Sequence, residues 1–344
     1  MSPLSHNHAL VPLTSDLGEQ LATFQHPSSV SAPVEITNVI PIASYSCVMS
    51  NDALKMIVPE AVLWAFASPL ALFIAVDTIH GASFKYDIID IITERNTLRK
   101  LLRWVTNSDP DPFRIDIQRT GNACILTKVK TADHSRQHPG YGLGFEEATT
   151  RPAVGCEKAA AHHRIISYSL GGLNVLLRFE VDACLDTKCD TSPTRADGST
   201  TSDIHGLSVE VQSSLELVPQ SSLIEIKTRS LKNKIRWDET FRQLYLSQTE
   251  WLYVGKHKNG IFNDVTKERL KEEASVNMKR RKQAAETNEM AKLKVLLDGI
   301  LREVRKVDEG VPLTLLREGT TLMLYRKQGH GETIPEKILR RFRN

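Results

Sequence analysis

The chain has 344 residues, with 44 lysines and arginines against 41 aspartates and glutamates and a formal net charge of +3. This length can bury a substantial core, and the near balance of charge excludes a polycation whose composition alone would announce a nucleic-acid partner. The 5 cysteines, Cys47, Cys124, Cys156, Cys184 and Cys189, are odd in number and include no CxxC pair, which argues against a disulfide framework or structural zinc and for a reducing compartment.

Residues 1–35 are rich in Ser, Pro, His and Thr without periodicity, which predicts a disordered tail before one domain over 36–344. No basic region followed by an apolar one marks a secretory signal. Ala61–Val76 is almost wholly apolar, yet Pro69 interrupts it and it falls short of the ~18–20 residues a bilayer requires. It reads as a buried segment and not a membrane span.

Tyr86–Ile92, followed by Leu98, Leu101, Leu102 and Trp104, predicts a helix from three- and four-residue spacing. Phe113–Arg119 and Ala123–Val129 read as two strands joined by a Thr-Gly-Asn turn, and Thr131–Gly140 as a polar loop. Leu143–Ala148 predicts a short helix, with glycine-rich Gly140–Gly144 as the turn before it. Arg164–Leu170, a Gly171-Gly172 turn and Val175–Ala183 predict strand, turn and strand. Asp186–Asp203 is a Ser/Thr-rich insertion expected to be a mobile surface loop. Leu223–Thr228 is a strand and Trp237–Leu246 a helix. Residues 265–307, dominated by Lys, Glu, Ala, Leu and Arg, predict one or two long helices. Leu313–Leu316 and Leu322–Tyr325 close the chain as a hairpin.

Two of these strands carry chemistry. Side chains alternate along a strand, so Glu180 and Asp182 share one face, opposite Phe179, Val181 and Ala183, and Glu225 shares a face with Lys227. If both strands lie in one sheet, three acids and a lysine converge, and a divalent cation with hard oxygen ligands, Mg²⁺ or Mn²⁺, neutralises them. An ion held by Asp182 and Glu225 polarises a phosphoryl oxygen and lowers the pKa of a water, while Lys227 orients that water and stabilises transition-state charge. The chemistry is phosphodiester or pyrophosphate hydrolysis. The alternative is an exposed strand with Glu–Lys pairing across the sheet; the apolar residues framing both motifs favour central strands.

In this order the motifs resemble those of the DXO-type RNA decapping nucleases and their fungal relatives. Thr93-Glu94-Arg95-Asn96 resembles the family's RNA-binding arginine segment, Gly144-Phe145-Glu146-Glu147 its glycine-aromatic-glutamate helix, Phe179-Glu180-Val181-Asp182 its Glu-x-Asp strand and Ile224-Glu225-Ile226-Lys227-Thr228 its Glu-x-Lys-Thr strand. Arg242-Gln243 with Trp251–Gly255 and Lys258–Gly260 resembles its glutamine helix and next core strand, and Ile40–Tyr45 looks like the opening of the fungal members. The resemblance spans residues 36–265. It implies an α/β (α+β) fold, a PD-(D/E)XK nuclease-like mixed central sheet flanked by helices. By resemblance, Glu146, Glu180, Asp182, Glu225 and Ile226 hold the metal, Glu180, Asp182, Glu225, Lys227 and Gln243 serve catalysis, and Arg95, Glu146, Lys227 and Gln243 bind substrate.

The implied activity is metal-dependent hydrolysis at RNA 5′ ends in RNA quality control: decapping, pyrophosphate release, removal of NAD caps and 5′-3′ exonuclease action. The implied partners are capped, NAD-capped or triphosphorylated RNA ends and a 5′-3′ exoribonuclease, with no membrane, and the expected location is the nucleus, with the cytoplasm as a second site. Val58–Trp64 with the apolar stretch after it, and the insertion at 186–203, depart from the fungal pattern and bear on cap preference. Two other readings stay open: a RecB-like single-strand DNA nuclease, and a non-catalytic relative that stabilises an RNA exonuclease.

Other features have plainer readings. Lys232, Lys234 and Arg236 either grip backbone phosphates or form a solvated loop. Met278–Lys282 reads as an exposed helix face, with a nuclear-import or RNA-contacting patch as the alternative. His162-His163 has no companion at metal-ligand spacing and reads as surface loop.

Overall fold

The computed structural model describes residues 13–28, 32–50, 53–58, 69–108, 111–129, 140–152, 159–185, 200–205, 207–211, 216–271, 276–329 and 334–343. Parts of the expected features therefore lie outside the described residues: 1–12 and 29–31 of the tail, 59–68 of the apolar stretch, 130–139 of the polar loop and 186–199 of the insertion.

The first described element is strand β1 (Leu17–Phe24), inside the region expected to be a disordered tail. It pairs antiparallel with a strand near the other end of the chain, Phe24 opposite Leu322, and Leu21, Ala22 and Phe24 pack on the main core. The partner that turns this stretch into a strand lies about three hundred residues away, beyond any local pattern. Strands β2 (Ile36–Ser50) and β3 (Ala53–Val58) follow, then helix α1 (Leu70–His80), whose Ala71–Val76 are buried.

Where a continuous helix was expected, the chain forms a short strand, β4 (Ile91–Glu94), leading directly into helix α2 (Arg95–Val105). The correction has a clear cause. β4 lies parallel between two neighbours, with Ile91 opposite both Cys124 and Val175, and is buried on both faces. Such a strand reads as an unbroken apolar run, which periodicity cannot tell from a buried helix. The β5 (Phe113–Thr120)–β6 (Ala123–Lys128) hairpin is as expected, as is helix α3 (Gly142–Thr149). Strands β7 (Ala159–Leu170) and β8 (Leu173–Val181) pair antiparallel about Gly171 and Gly172, both at positive φ, which admits glycine without strain.

After β8 come β9 (Ala183–Cys184), β10 (Thr200–Ile204), β11 (Leu207–Val211), β12 (Leu223–Ser230), helix α4 (Trp237–Ser247), β13 (Trp251–Lys258) and β14 (Ile261–Arg269). Two expectations are corrected here: the insertion ends in β10, and the supposedly helical stretch from 265 begins as the second half of β14. The strand is legible only through its partner, because β13 and β14 exchange hydrogen bonds along their length. Helices α5 (Val276–Ala284) and α6 (Met290–Val304) then run on through a π-helical turn over Ala285–Glu289. The closing hairpin, β15 (Leu313–Glu318) and β16 (Thr321–Lys327), and the short α7 (Glu336–Leu339) end the described chain.

The strands form a mixed twelve-stranded sheet, β1-β16-β15-β5-β6-β4-β8-β7-β2-β3-β11-β10, and a four-stranded sheet, β14-β13-β12-β9. Alternation divides the large sheet's side chains between two cores. Ile91, Val175, Leu177 and Phe179 pack with α2, α4 and α6, including Leu98, Phe241 and Leu297. Ile92, Leu176 and Ile165 pack with α1 and the carboxy-terminal Ile338 and Phe342. The result is the expected mixed sheet flanked by helices. Among the described residues no helix is long and apolar enough to cross a membrane.

Phe145 of α3 packs closely on the small sheet. A Cβ built on Gly255 would stand 2.7 Å from Cζ of Phe145, so only glycine lets that ring lie on β13 over Ile224 and Ile226. Gly255→Ala is therefore expected to destabilise the protein by ~1–3 kcal/mol, and a second change, Phe145→Leu, to restore part of the loss. Thermal denaturation followed by circular dichroism checks both; an unchanged Tm for Gly255→Ala would contradict this packing.

Candidate active site

β8 and β9 are one run of chain that leaves the large sheet at Val181 and enters the small one at Ala183. Asp182 sits at the fork. β9 pairs antiparallel with β12, Leu223 opposite Cys184 and Ile224 opposite Ala183, and that register continued by one residue sets Asp182 opposite Glu225. An Asp182 carboxylate oxygen accepts a hydrogen bond from the backbone N–H of Ile226 at 2.7 Å, replacing the strand neighbour that the fork removes. The two acidic strands therefore do not share one sheet, as supposed from the sequence. Their carboxylates meet because two sheets part between them.

On β12, alternation puts Leu223, Glu225, Lys227 and Arg229 on the face turned to α2 and α4. This row runs from core to solvent: Leu223 is buried against the core, Glu225 is 2% exposed, and the Lys227 side chain is 25% exposed. An isolated buried carboxylate would be costly, and Glu225 is not isolated. The Arg95 guanidinium donates to Oε2 at 2.9 Å, and Lys227 Nζ and Gln243 Nε2 both donate to Oε1. Arg95 also donates to Ser247 Oγ at 3.3 Å and lies over the Phe179 ring, 5.5 Å from its centroid. Gln243 and Ser247 stand one turn apart on α4, so one helix supplies a ligand to the carboxylate and another to its cation. Burial alone would raise the Glu225 pKa; Arg95 and Lys227 outweigh it and hold the carboxyl below its ordinary range.

The other acids behave in the opposite way. Burial, then the charge of Glu225, push Asp182 up to about 8, with Lys227 and the Ile226 N–H offsetting only part of this. Glu180 is also raised, by burial first, with Arg95 lowering it and Glu225 raising it. Glu146, carried on α3, is raised by burial and by Glu180, Glu225 and Glu147 against the pull of Lys227. Arg95, Glu146, Glu180, Asp182, Glu225, Lys227 and Gln243 thus form one electrostatic neighbourhood, and Ile226 joins it through its backbone.

Whether this neighbourhood suits a divalent cation has two answers. In chemistry it does: the carboxylates are hard oxygen donors, and three of them are biased toward their neutral forms in a way a dication would relieve. Ile226 could contribute only its backbone oxygen. In geometry, among the described residues no group of three His, Cys, Asp or Glu side chains converges as metal ligands. Glu225 is turned toward Arg95, Lys227 and Gln243 instead, so binding an ion there requires it to exchange at least one of these contacts.

The structure adds residues that the sequence reading missed. His162 and His163 lie on β7 and not in a surface loop. His163 is opposite Glu180, and its ring stacks on Tyr45 with centroids 5.0 Å apart. Burial and then Arg95 push the His163 pKa down to about 4, and its Nδ1 is buried without a hydrogen-bond partner. Tyr45 Oη accepts from Arg178 at 2.9 Å, and Arg178 is ion-paired with Glu94, the residue before Arg95. The signal for His163 was present: a two-residue turn at Gly171-Gly172 fixes the hairpin register, and counting back from it brings His163 opposite Glu180.

The raised Asp182 pKa makes a prediction about the metal-free protein. A carboxyl whose folded pKa exceeds its unfolded value leaves the native state binding more protons, so its contribution to stability falls as pH rises from the ordinary carboxylate range through about 8. In a chelator, Asp182→Asn is expected to raise Tm at about pH 8 and to change it little at about pH 4. Thermal denaturation across this range checks the sign, and a variant destabilised equally at both ends would contradict it.

The chain matches the family model described as Domain of unknown function (DUF8563) over residues 28–343. No curated protein matches it in sequence. Among solved structures it resembles Rai1 of Scheffersomyces stipitis in complex with (3′-NADP)+ and calcium ion, with 15% identity, TM-score 0.61, and 97% of this chain and 100% of that chain covered. It also resembles Candida albicans Rai1 in complex with pU5-Mn2+, with 14% identity, TM-score 0.58 and coverage of 94% and 96%. A third similar structure is K. lactis Dxo1 in complex with manganese, at 9% identity, TM-score 0.56 and coverage of 91% and 97%. The chain belongs to the DUF8563 family, and its fold is that of Rai1 and Dxo1.

Proposed function

We propose that this protein is a divalent-metal-dependent hydrolase acting on RNA 5′ ends. The observation that carries the reading is the buried Glu225 carboxylate, bound by Arg95, Lys227 and Gln243 and set opposite Asp182 where the two sheets part. Structures of the same fold hold manganese with pU5 and calcium with (3′-NADP)+, which favours phosphate chemistry on nucleotides at a divalent ion.

Glu146, Glu180, Asp182, Glu225 and the Ile226 carbonyl are the groups that would hold the ion. When bound, it supplies Lewis-acid polarisation of a phosphoryl oxygen and a water of lowered pKa. Lys227, partly exposed at the mouth of the site, places a positive charge where negative charge develops on the phosphoryl oxygens. Arg95 and Gln243 hold Glu225 in place, and Arg95 adds a second positive charge to the cleft. Asp182, whose carboxyl pKa burial and Glu225 push up, is an acid whose ionised form a neighbouring dication would favour. The reactions proposed are pyrophosphate release from 5′-triphosphate RNA, removal of unmethylated and NAD caps, and 5′-3′ exonuclease action.

One observation favours a second reading, that of a non-catalytic relative which binds RNA ends or a partner nuclease: the absence of three convergent metal-ligating side chains among the described residues.

A single assay separates the two. Purified protein is incubated with 5′-triphosphate, unmethylated-cap and NAD-capped RNA and Mn²⁺ or Mg²⁺, with matched single-stranded DNA alongside. Turnover that is lost in a chelator and falls at least ~100-fold in Asp182→Ala and in Glu225→Gln is expected. Equal turnover by parent and Asp182→Ala would overturn the assignment of the site. No turnover, together with no Mn²⁺ binding by calorimetry, would establish the second reading, and cleavage of DNA but not RNA would change the substrate class.

A further inference from the structure

Beyond Lys227, the polar face of β12 continues to Arg229, and the loop into α4 folds back beside it. Together Arg229, Asn233, Lys234 and Arg236 line an open pocket of about 430 Å³. Three of the four carry positive charge, and none is apolar or aromatic. We propose that this pocket is a second anion subsite of the same groove, which receives a backbone phosphate of the RNA segment 3′ to the reacting end. The proposal rests on the reading of Glu225 and its neighbours as an RNA-end site.

Position supports it. Glu225, Lys227 and Arg229 occupy successive same-face places on one strand, so Arg229 lies ~13 Å from Glu225 at ~3.3 Å per residue. A stacked single strand advances ~3.4 Å per charge, so this span is about four nucleotides, and fewer for an extended chain. A strand with its 5′ end at Glu225 and its body along this face reaches the pocket without a turn.

Charge supports it as well. Among the described residues no carboxylate forms an ion pair with Arg229 or Lys234. Arg229 donates to the Thr228 carbonyl at 3.0 Å, and Arg236, with its side chain 76% exposed, pairs with Glu239 at 3.8 Å. The two acids in the first turn of α4 are both engaged: Glu239 also pairs with Arg103 at 3.3 Å, and Asp238 pairs with Arg281. Arg99, one turn after Arg95 on α2, has Arg95, Glu225, Arg103 and Glu239 as electrostatic neighbours. Burial first, then Arg95, lower its pKa, with Glu225 and Glu239 offsetting only part. Guanidinium and ammonium groups without an aromatic platform bind phosphate and not base, so recognition here is independent of sequence.

The test is binding, which requires no turnover. Fluorescence anisotropy is measured with 5′-phosphorylated oligouridylates, from a dinucleotide to about eight residues, on the parent and on the triple variant Arg229→Gln/Lys234→Gln/Arg236→Gln. The parent is expected to gain affinity as length passes about four nucleotides. The triple variant is expected to bind the dinucleotide as the parent does, to lose about tenfold or more on the longest oligomer, and to show a salt dependence shallower by about two charges. Lys234→Gln alone should give a smaller loss of the same kind. Single-stranded DNA of equal length should lose affinity in parallel, as phosphate contacts require. An unchanged length dependence and salt slope in the triple variant, or a loss confined to RNA, would overturn the subsite. If the parent turns over no RNA end yet the triple variant shows these losses, the subsite stands and the hydrolase reading alone fails; if the parent is active and the losses are absent, the reverse holds.

Discussion

A carboxylate as deeply buried as Glu225 must be neutralised where it stands, and much of this protein's central architecture is arranged around that requirement. Arg95 comes from the start of α2, Gln243 and Ser247 from successive turns of α4, and Lys227 from the same strand two residues on. Removing one partner of such a buried pair typically costs about 3–5 kcal/mol, because the remaining charge stays desolvated and unmatched. The positions of α2 and α4 over the small sheet are therefore tied to the charge of one side chain. A chain that gained only stability from this arrangement would do as well with apolar residues there. Their replacement by charge in the middle of a core is what makes the cleft a functional candidate.

The second constraint is the fork at Asp182. Continuous pairing would have enclosed these acids between strands; parting the sheets opens the space in which they face one another. The Ile226 N–H, deprived of its strand partner, is satisfied by the Asp182 carboxylate, so the fork leaves that backbone group paired and fixes the acid at the same time. On the other face of β12, Phe145 packs against Gly255 and holds α3, and with it Glu146, beside the opening. Tyr45, stacked on His163 and bonded to Arg178, braces the side of the cleft that carries Glu180. Each wall of the site is thus anchored in packing that has no part in the chemistry.

The same face of β12 also runs from core toward solvent: Leu223 in the apolar core, Glu225 buried and paired, then Lys227 and Arg229 partly exposed. The row passes from buried to partly exposed and from an acid to two bases. In the proposed reading Glu225 binds and holds while Arg229 attracts and guides, which orders binding, chemistry and positioning along one line.

Much was legible in the sequence where the physics is local. Two-residue alternation identified Glu225 with Lys227, and the hairpins at Gly121, Gly171-Gly172 and the carboxy-terminal strands follow from turn chemistry and apolar runs. β1, β4 and β14 were not legible, because each is a strand only by virtue of a partner: β16 at the far end of the chain, the parallel neighbours that bury both faces of β4, and β13. His163 could have been found from hairpin register, yet its stacking on Tyr45 could not, since β2 and β7 meet only in the folded sheet. As for the site on which everything turns, the sequence by itself determined that Glu225 and Lys227 of β12 share a face and that the acids gathered near them call for neutralisation. Only the tertiary structure decided how that is met: two sheets part at Asp182, and helices α2 and α4 deliver Arg95 and Gln243 to Glu225, because Coulomb attraction and desolvation act through space and not along the chain.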